Sequence, residues 1–301
     1  MSTLDAALAP AVSEPAAAPV NTAANRQPRK LRAAARRKQT AIRWIVLALV
    51  AIFMILPLAG LIDFSTRLLN GKRVFSSWAT VFDLTKLEAA APDLVAGFKV
   101  TIALCLVTAV LTVALLVPTM TWIRLRVPEV SKLVEFLCLL PLTIPAIVLV
   151  VGLGPIYRGI AHILSSGNIW LTFVYVVLAF PYAYRSIDAG LRAIDVKTLS
   201  EAARSLGCSW AMVMWRIVMP NIRSAVLGAM FLTIALCLGE YTVASLLSKS
   251  NLSVALFNLG LSASGDPRLT AAVSLVLLVF GFLVMFGFSF LGNTRRTKKG
   301  K

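Results

Sequence analysis

The chain has 301 residues, 58% hydrophobic and only 14% charged, with a mean hydropathy of +0.83; a water-soluble domain carries about 25% charged residues, so lipid and not water is its solvent. A net charge of +17 raises nucleic acid as a partner and the pattern excludes it: the basic residues cluster between and beyond apolar runs, as membrane topology requires, without interleaved aromatics on one face. Cys105, Cys138, Cys208 and Cys237 form no CxxC pair and the single His162 has no companion at ligand spacing, so no disulfide framework, metal site or other cofactor is expected.

In chain order, residues 1–40 are an Ala/Pro-rich stretch, expected to be disordered over 1–25, and then a basic cytoplasmic tail; Arg26 to Arg43 holds eight Lys and Arg and no acid. The start lacks the basic-then-apolar layout of a secretory signal. A membrane domain is expected over 41–294, with spans at about 44–64, 97–123, 134–156, 169–186, 222–247 and 269–293 and a second basic tail over 295–301. Runs of roughly twenty apolar residues are long enough to cross about 30 Å of hydrocarbon. The fold class is therefore an all-α integral membrane protein of six transmembrane helices.

An even number of spans leaves both termini on one side. Twenty-two of the thirty Lys and Arg fall in the N-terminal block, after the second span, between the fourth and fifth spans, and in the C-terminal tail. This bias places those segments, and both termini, in the cytoplasm, with the basic block against anionic lipid headgroups.

Two spans carry features that simple lipid crossing does not need. The third contains Pro141 and Pro145, each of which releases a backbone carbonyl and bends the helix. The fifth is interrupted at Glu240-Tyr241. A carboxylate at that depth is costly in lipid, so Glu240 is expected to line a pathway or form a structural pair at an outer gate. The plainer alternative is an interfacial residue near the outer end of the span.

The interval 188–221 between the fourth and fifth spans is too long for a turn and too patterned for disorder. It reads Glu201-Ala202-Ala203, three residues, Gly207, nine residues, Ile217, two residues, Pro220. Thr198 to Glu201 has the form of a capping box. Leu199, Ala202, Ala203 and Leu206 recur at helical spacing as one apolar face, and Gly207 follows where a left-handed cap is easiest. Ser209 is placed to cap a second helix, Trp210 to Met219, that Pro220 ends or redirects. A helix–Gly–helix unit lying across the ends of the spans is predicted, with Trp210, Met212, Met214 and Trp215 packing in a partner's groove or on the bundle itself.

These loop residues, with Met219 standing where a Leu is usual, resemble the cytoplasmic signature of inner-membrane permeases of binding-protein-dependent ABC importers, the six-span type I group. The resemblance runs from about Ala41 to Gly292. It implies that Glu201, Ala202, Ala203, Gly207, Ile217 and Pro220 couple the chain to two copies of a separate ATPase subunit. It also implies a second permease subunit, a paralogue in preference to a second copy, and a periplasmic or extracellular solute-binding protein. The chain has no GxxxxGK[ST] phosphate loop and no Ser/His/Asp or paired-carboxylate arrangement, so it is not expected to be an enzyme. The runs LPLTIPAIVLVVGL and LGEYTVASLL are nearest to permeases for polyamines, ferric iron, thiamine and phosphonates, and a polyamine-type solute is favoured. An ion-coupled secondary transporter would need an internal repeat of broken helices and several buried carboxylates, and neither is visible.

Overall fold

The computed structural model describes the backbone of residues 29–68, 70–163, 167–262 and 266–293, and the side chains of 39–68, 70–159, 167–262 and 266–288. The order is α1 (Arg29–Thr66), α2 (Ser76–Phe82), α3 (Leu84–Ala90), α4 (Pro92–Arg126), α5 (Ser131–Leu139), α6 (Ala146–Ile163), α7 (Leu171–Arg192) and α8 (Val196–Ser205). It continues through α9 (Trp210–Met212), α10 (Met219–Asn221), α11 (Arg223–Gly239), α12 (Thr242–Leu246), α13 (Leu252–Leu261) and α14 (Pro267–Asn293). The fold is all-α.

The chain divides into two units at Pro57. In the first, the described residues form one helix, apolar on every side from Trp44 and almost wholly exposed from there to Pro57, the composition of a helix that meets lipid. The basic block, expected to be a tail up to residue 40, is helical from Arg29 onward. Ala, Arg, Lys and Gln are good helix formers and extend the apolar helix backwards. Residues 1–28 and the tail 295–301 lie outside the described residues.

In the second unit α4, α7 and α11 pack on one another at the centre. Pro92 opens the 35-residue α4, Asp93 lies in its first turn and Arg124 and Arg126 in its last, each on the favourable side of the helix dipole. The helices approach closely where side chains are small. A Cβ on Gly190 of α7 would stand 2.3 Å from Cβ of Ala225, and Ser186 Oγ, which donates to the Ala225 carbonyl at 2.8 Å, occupies the space beside Gly228.

Gln39–Thr66, Pro92–Arg126 and Pro267–Phe288 are each long and apolar enough to cross a membrane. Two further candidates are bent pairs: Pro128–Leu142 with Ala146–Gly159 at 102°, and Trp210–Asn221 with Arg223–Gly239 at 79°. The expected third span is thus two helices meeting at the Pro141–Pro145 turn, not one bent helix. The expected fourth is α7, the most enclosed helix, whose inward residues include Tyr175, Ile187 and Leu191. The fifth ends at Gly239, and α12 restarts after Glu240. Two pieces of structure lie where only loops were expected: α2–α3 after the first span, and the apolar α13 before the last.

Candidate functional site

Helix α8 is capped three residues before the N-cap of the expected capping box. Its N-cap is Asp195, whose carboxylate accepts the Thr198 amide at 3.1 Å and the Thr198 hydroxyl at 2.6 Å. These bonds, the hydroxyl first, hold the Asp195 carboxyl below the usual carboxylate range. Thr198 and Glu201 are therefore helix-interior residues and do not form a cap with each other. The expected apolar face is corrected too: Val196, Ser200 and Ala203 are buried, while Leu199, Ala202 and Leu206 face outward. Val196 is the residue the bundle core takes, and the register follows from it.

At the other end Gly207 has φ +86°, its amide donates to the Arg204 carbonyl at 2.9 Å, and the Cys208 amide donates to the Ala203 carbonyl at 3.1 Å. This double closure is a Schellman cap. Ser209 Oγ then accepts the Met212 amide at 3.3 Å, as expected of a second N-cap. The second helix runs through Asn221 and is wound as a π-helix over Val213–Val218. Pro220, with no amide to give, follows this wider coil, and the 79° corner comes at Ile222.

The unit has two faces. Val196, Ala203, Val213, Val218 and Ile222 join Val117, Met120, Ile187, Leu191 and Val226 in one apolar cluster, with Ile217 and Met214 packed partly against it. Outward lie Glu201, Ala202, Gly207 and Pro220, together with Leu206 at 85% and Trp215 at 68% exposure. Of the signature residues, Ala203 and Ile217 thus face the bundle and the other four face away from it. Trp210 belongs to the chain's own surface: its ring centroid lies 6.0 Å from that of Trp122 and 4.7 Å from the Arg204 guanidinium. Beside it Asp188 accepts from Arg124 at 2.9 Å and from Arg192 at 2.7 Å, tying the end of α4 to α7. Asp188 had not been singled out in the sequence.

The pathway candidates fall in two places. Pro141 lies in the turn Leu140–Leu142 and Pro145 immediately before α6. Glu240 and Tyr241 form the break between α11 and α12, where a Glu240 carboxylate oxygen accepts the Val243 amide and the Tyr241 ring lies 5.0 Å from that of Phe257. The break is held by Asn251, a residue the sequence reading passed over. Asn251 is 1% exposed; its side-chain amide donates to the Glu240 carbonyl and, at 3.1 Å, to the Tyr175 hydroxyl, and its oxygen caps α13 through the Val254 amide at 2.8 Å. The next amide, Leu252, donates to Thr101 of α4 at 2.9 Å, and a Cβ on Gly97 would meet the Asn251 carbonyl at 2.9 Å. An Asn directly before an apolar decapeptide is an N-cap signal that could have located both α13 and this knot. A cleft of about 410 Å³ lies elsewhere, lined by Phe64, Arg67, Asn70, Asp266 and Arg268, and touches none of the predicted site residues.

Residues 119–296 match the family model described as "Binding-protein-dependent transport system inner membrane component". The chain is 23% identical to the putrescine transport system permease protein PotI of Escherichia coli K12, over 80% of this chain and 87% of that protein. It is 23% identical to the sulfate transport system permease protein CysT of Salmonella typhimurium, over 85% and 91%. It is 30% identical to the phosphate transport system permease protein PstC of Xylella fastidiosa (strain Temecula1), over 44% and 42%.

Proposed function

The chain belongs to the family of binding-protein-dependent transport system inner membrane components, and we propose that it forms, with a second permease subunit, the pathway of an ABC importer whose energy enters through the α8–α9 unit. The observation that carries this reading is the two-faced loop. Its inner face is continuous with the core of α4, α7 and α11, so a force on the loop reaches the spanning helices. Its outer face presents Glu201, Ala202, Leu206, Gly207 and Trp215, all exposed among the described residues, a knob suited to a groove on an ATPase subunit.

In this reading the chain crosses the membrane six times with both termini in the cytoplasm, following the charge bias, and a solute-binding protein delivers cargo from the far side. The second permease is a paralogue. Glu240, Tyr241, Pro141 and Pro145 are the pathway and gate candidates. The cargo is a small polar solute, and polyamine-type is favoured because PotI matches along most of the chain. The oxyanion alternative has its own support in CysT, matched over a similar length. Cargoes such as 2-aminoethylphosphonate, ferric iron or thiamine rest on the span motifs alone.

The reading is tested by co-purification from membranes. Glu201→Lys and Gly207→Trp should lose the ATPase subunit while the chain accumulates normally; association and transport that both survive overturn it. Cargo is tested by a ligand screen on the cognate solute-binding protein, where tight putrescine binding supports the polyamine assignment and sulfate or phosphate binding replaces it.

A further inference from the structure

The end of α4 carries a cluster that the coupling reading does not use. Arg126, its last residue, places its guanidinium carbon 5.7 Å from the Trp122 ring centroid and 5.1 Å from that of Trp210, and Arg204 of α8 lies 4.7 Å from the same Trp210 ring. The two guanidiniums are thus within about 10 Å of each other, held by one indole. Both arginines are exposed. Among the described residues neither has a carboxylate at ion-pair distance, whereas nearby Arg124 and Arg192 share Asp188. Stacking uses the face of a guanidinium and leaves its N–H edge free for an anion.

Depth indicates which anion. Helix α4 is a candidate membrane span by length and composition, and Trp122 stands four residues before its end, 53% exposed. An indole where apolar helix gives way to arginine marks the headgroup level of a bilayer. Exposed arginines at that level meet lipid phosphate before any soluble partner. The outermost apolar residues of the loop, Leu206 and Trp215, are not part of the cluster.

We propose that Arg126 and Arg204, held against Trp122 and Trp210, bind the phosphate of an anionic phospholipid headgroup. Because Arg126 ends a span and Arg204 sits on α8, one bound headgroup bridges the membrane helix and the loop. Membrane charge then steadies the loop.

The test is native mass spectrometry of the full-length chain released from detergent micelles doped with phosphatidylcholine and phosphatidylglycerol, with retained lipid as the readout. Retained phosphatidylglycerol is expected to fall more than about tenfold in the Arg126→Gln/Arg204→Gln variant and about fivefold in each single variant. It should be unchanged in Lys197→Gln, an exposed α8 lysine outside the cluster. The single variants give the same reading should the pair fail to fold. Equal retention in all variants overturns the proposal. Displacement of the lipid by inorganic phosphate makes this a free-anion site and overturns the lipid assignment. Unchanged lipid retention accompanied by loss of the ATPase subunit makes the cluster a protein contact and overturns it as well.

Discussion

The carbonyl of Ala203 accepts the amide of Cys208 at 3.1 Å across Gly207, whose φ is +86°. Together with the Gly207 amide on the Arg204 carbonyl at 2.9 Å, this bond folds the end of α8 back on itself and sets the direction of the chain into Ser209 and α9. A side chain at this φ costs about 1–2 kcal/mol, although the space around Gly207 is open. Gly207→Ala is therefore expected to raise amide exchange at 205–209 while leaving the rest of the protection pattern intact. Unaltered exchange there would remove the left-handed cap from the account.

The crossing of α7 and α11 depends on Gly190. A methyl group there would stand 2.3 Å from Cβ of Ala225, and overpacking of this kind costs about 1–3 kcal/mol. Gly190→Ala should lower the thermal midpoint in detergent, and Ala225→Gly in the same chain should restore most of the loss. The coupling between the two substitutions, read from a double-mutant cycle, checks the contact directly.

Asn251 closes the break at Glu240. Asn251→Ala strips a buried N-cap and leaves the Glu240 carbonyl and the Tyr175 hydroxyl without that partner, a loss of about 2–4 kcal/mol. Tyr175→Phe should cost only about 1 kcal/mol, since the Asn251 amide keeps the Glu240 carbonyl. Chemical denaturation in mixed micelles ranks the two. Glu240→Gln keeps an oxygen for the Val243 amide, so assembly should be intact while transport-coupled ATPase activity changes; unchanged transport kinetics would confine Glu240 to holding the break.

Asp195 gives a pH dependence with a defined sign. Its folded-state pKa is depressed below 3.8 by the Thr198 hydroxyl and amide, so its stabilisation of α8 is complete above that value and is lost as pH falls through the folded-state pKa. Amide exchange over 196–200 should be slower in the wild type than in Asp195→Ala from neutral pH down to about 3.8, and the two should converge in stronger acid. Convergence already at neutral pH would mean that another residue caps the helix.

The parts legible in the sequence were those set by local chemistry. Apolar runs located the long helices because lipid requires them, Gly207 marked the left-handed turn because few other residues adopt its φ, and Ser209 marked a cap because its hydroxyl accepts a free helix amide; Pro220 did not mark the corner, which comes at Ile222. The parts that were not legible were decided by packing. Asp195 and Thr198 are both competent capping residues, and burial of Val196 in the bundle core chose the first. That choice turned Leu199 and Ala202 outward. The two prolines announced a bend, but its 102° size depends on how α5 and α6 each find a partner. Asn251 is one polar residue in an apolar stretch, and its role appears only when Tyr175, Thr101 and Glu240 are brought around it.

The central claim is that the outward face of α8 and α9 docks on an ATPase subunit. A photo-crosslinking amino acid at Leu206, the most exposed apolar side chain of that face at 85%, tests it in intact membranes, with Val107 on α4 as the control position. The account predicts a covalent adduct with the ATPase subunit from position 206 and none from position 107. A transport-active complex that yields no ATPase adduct from position 206 would contradict it.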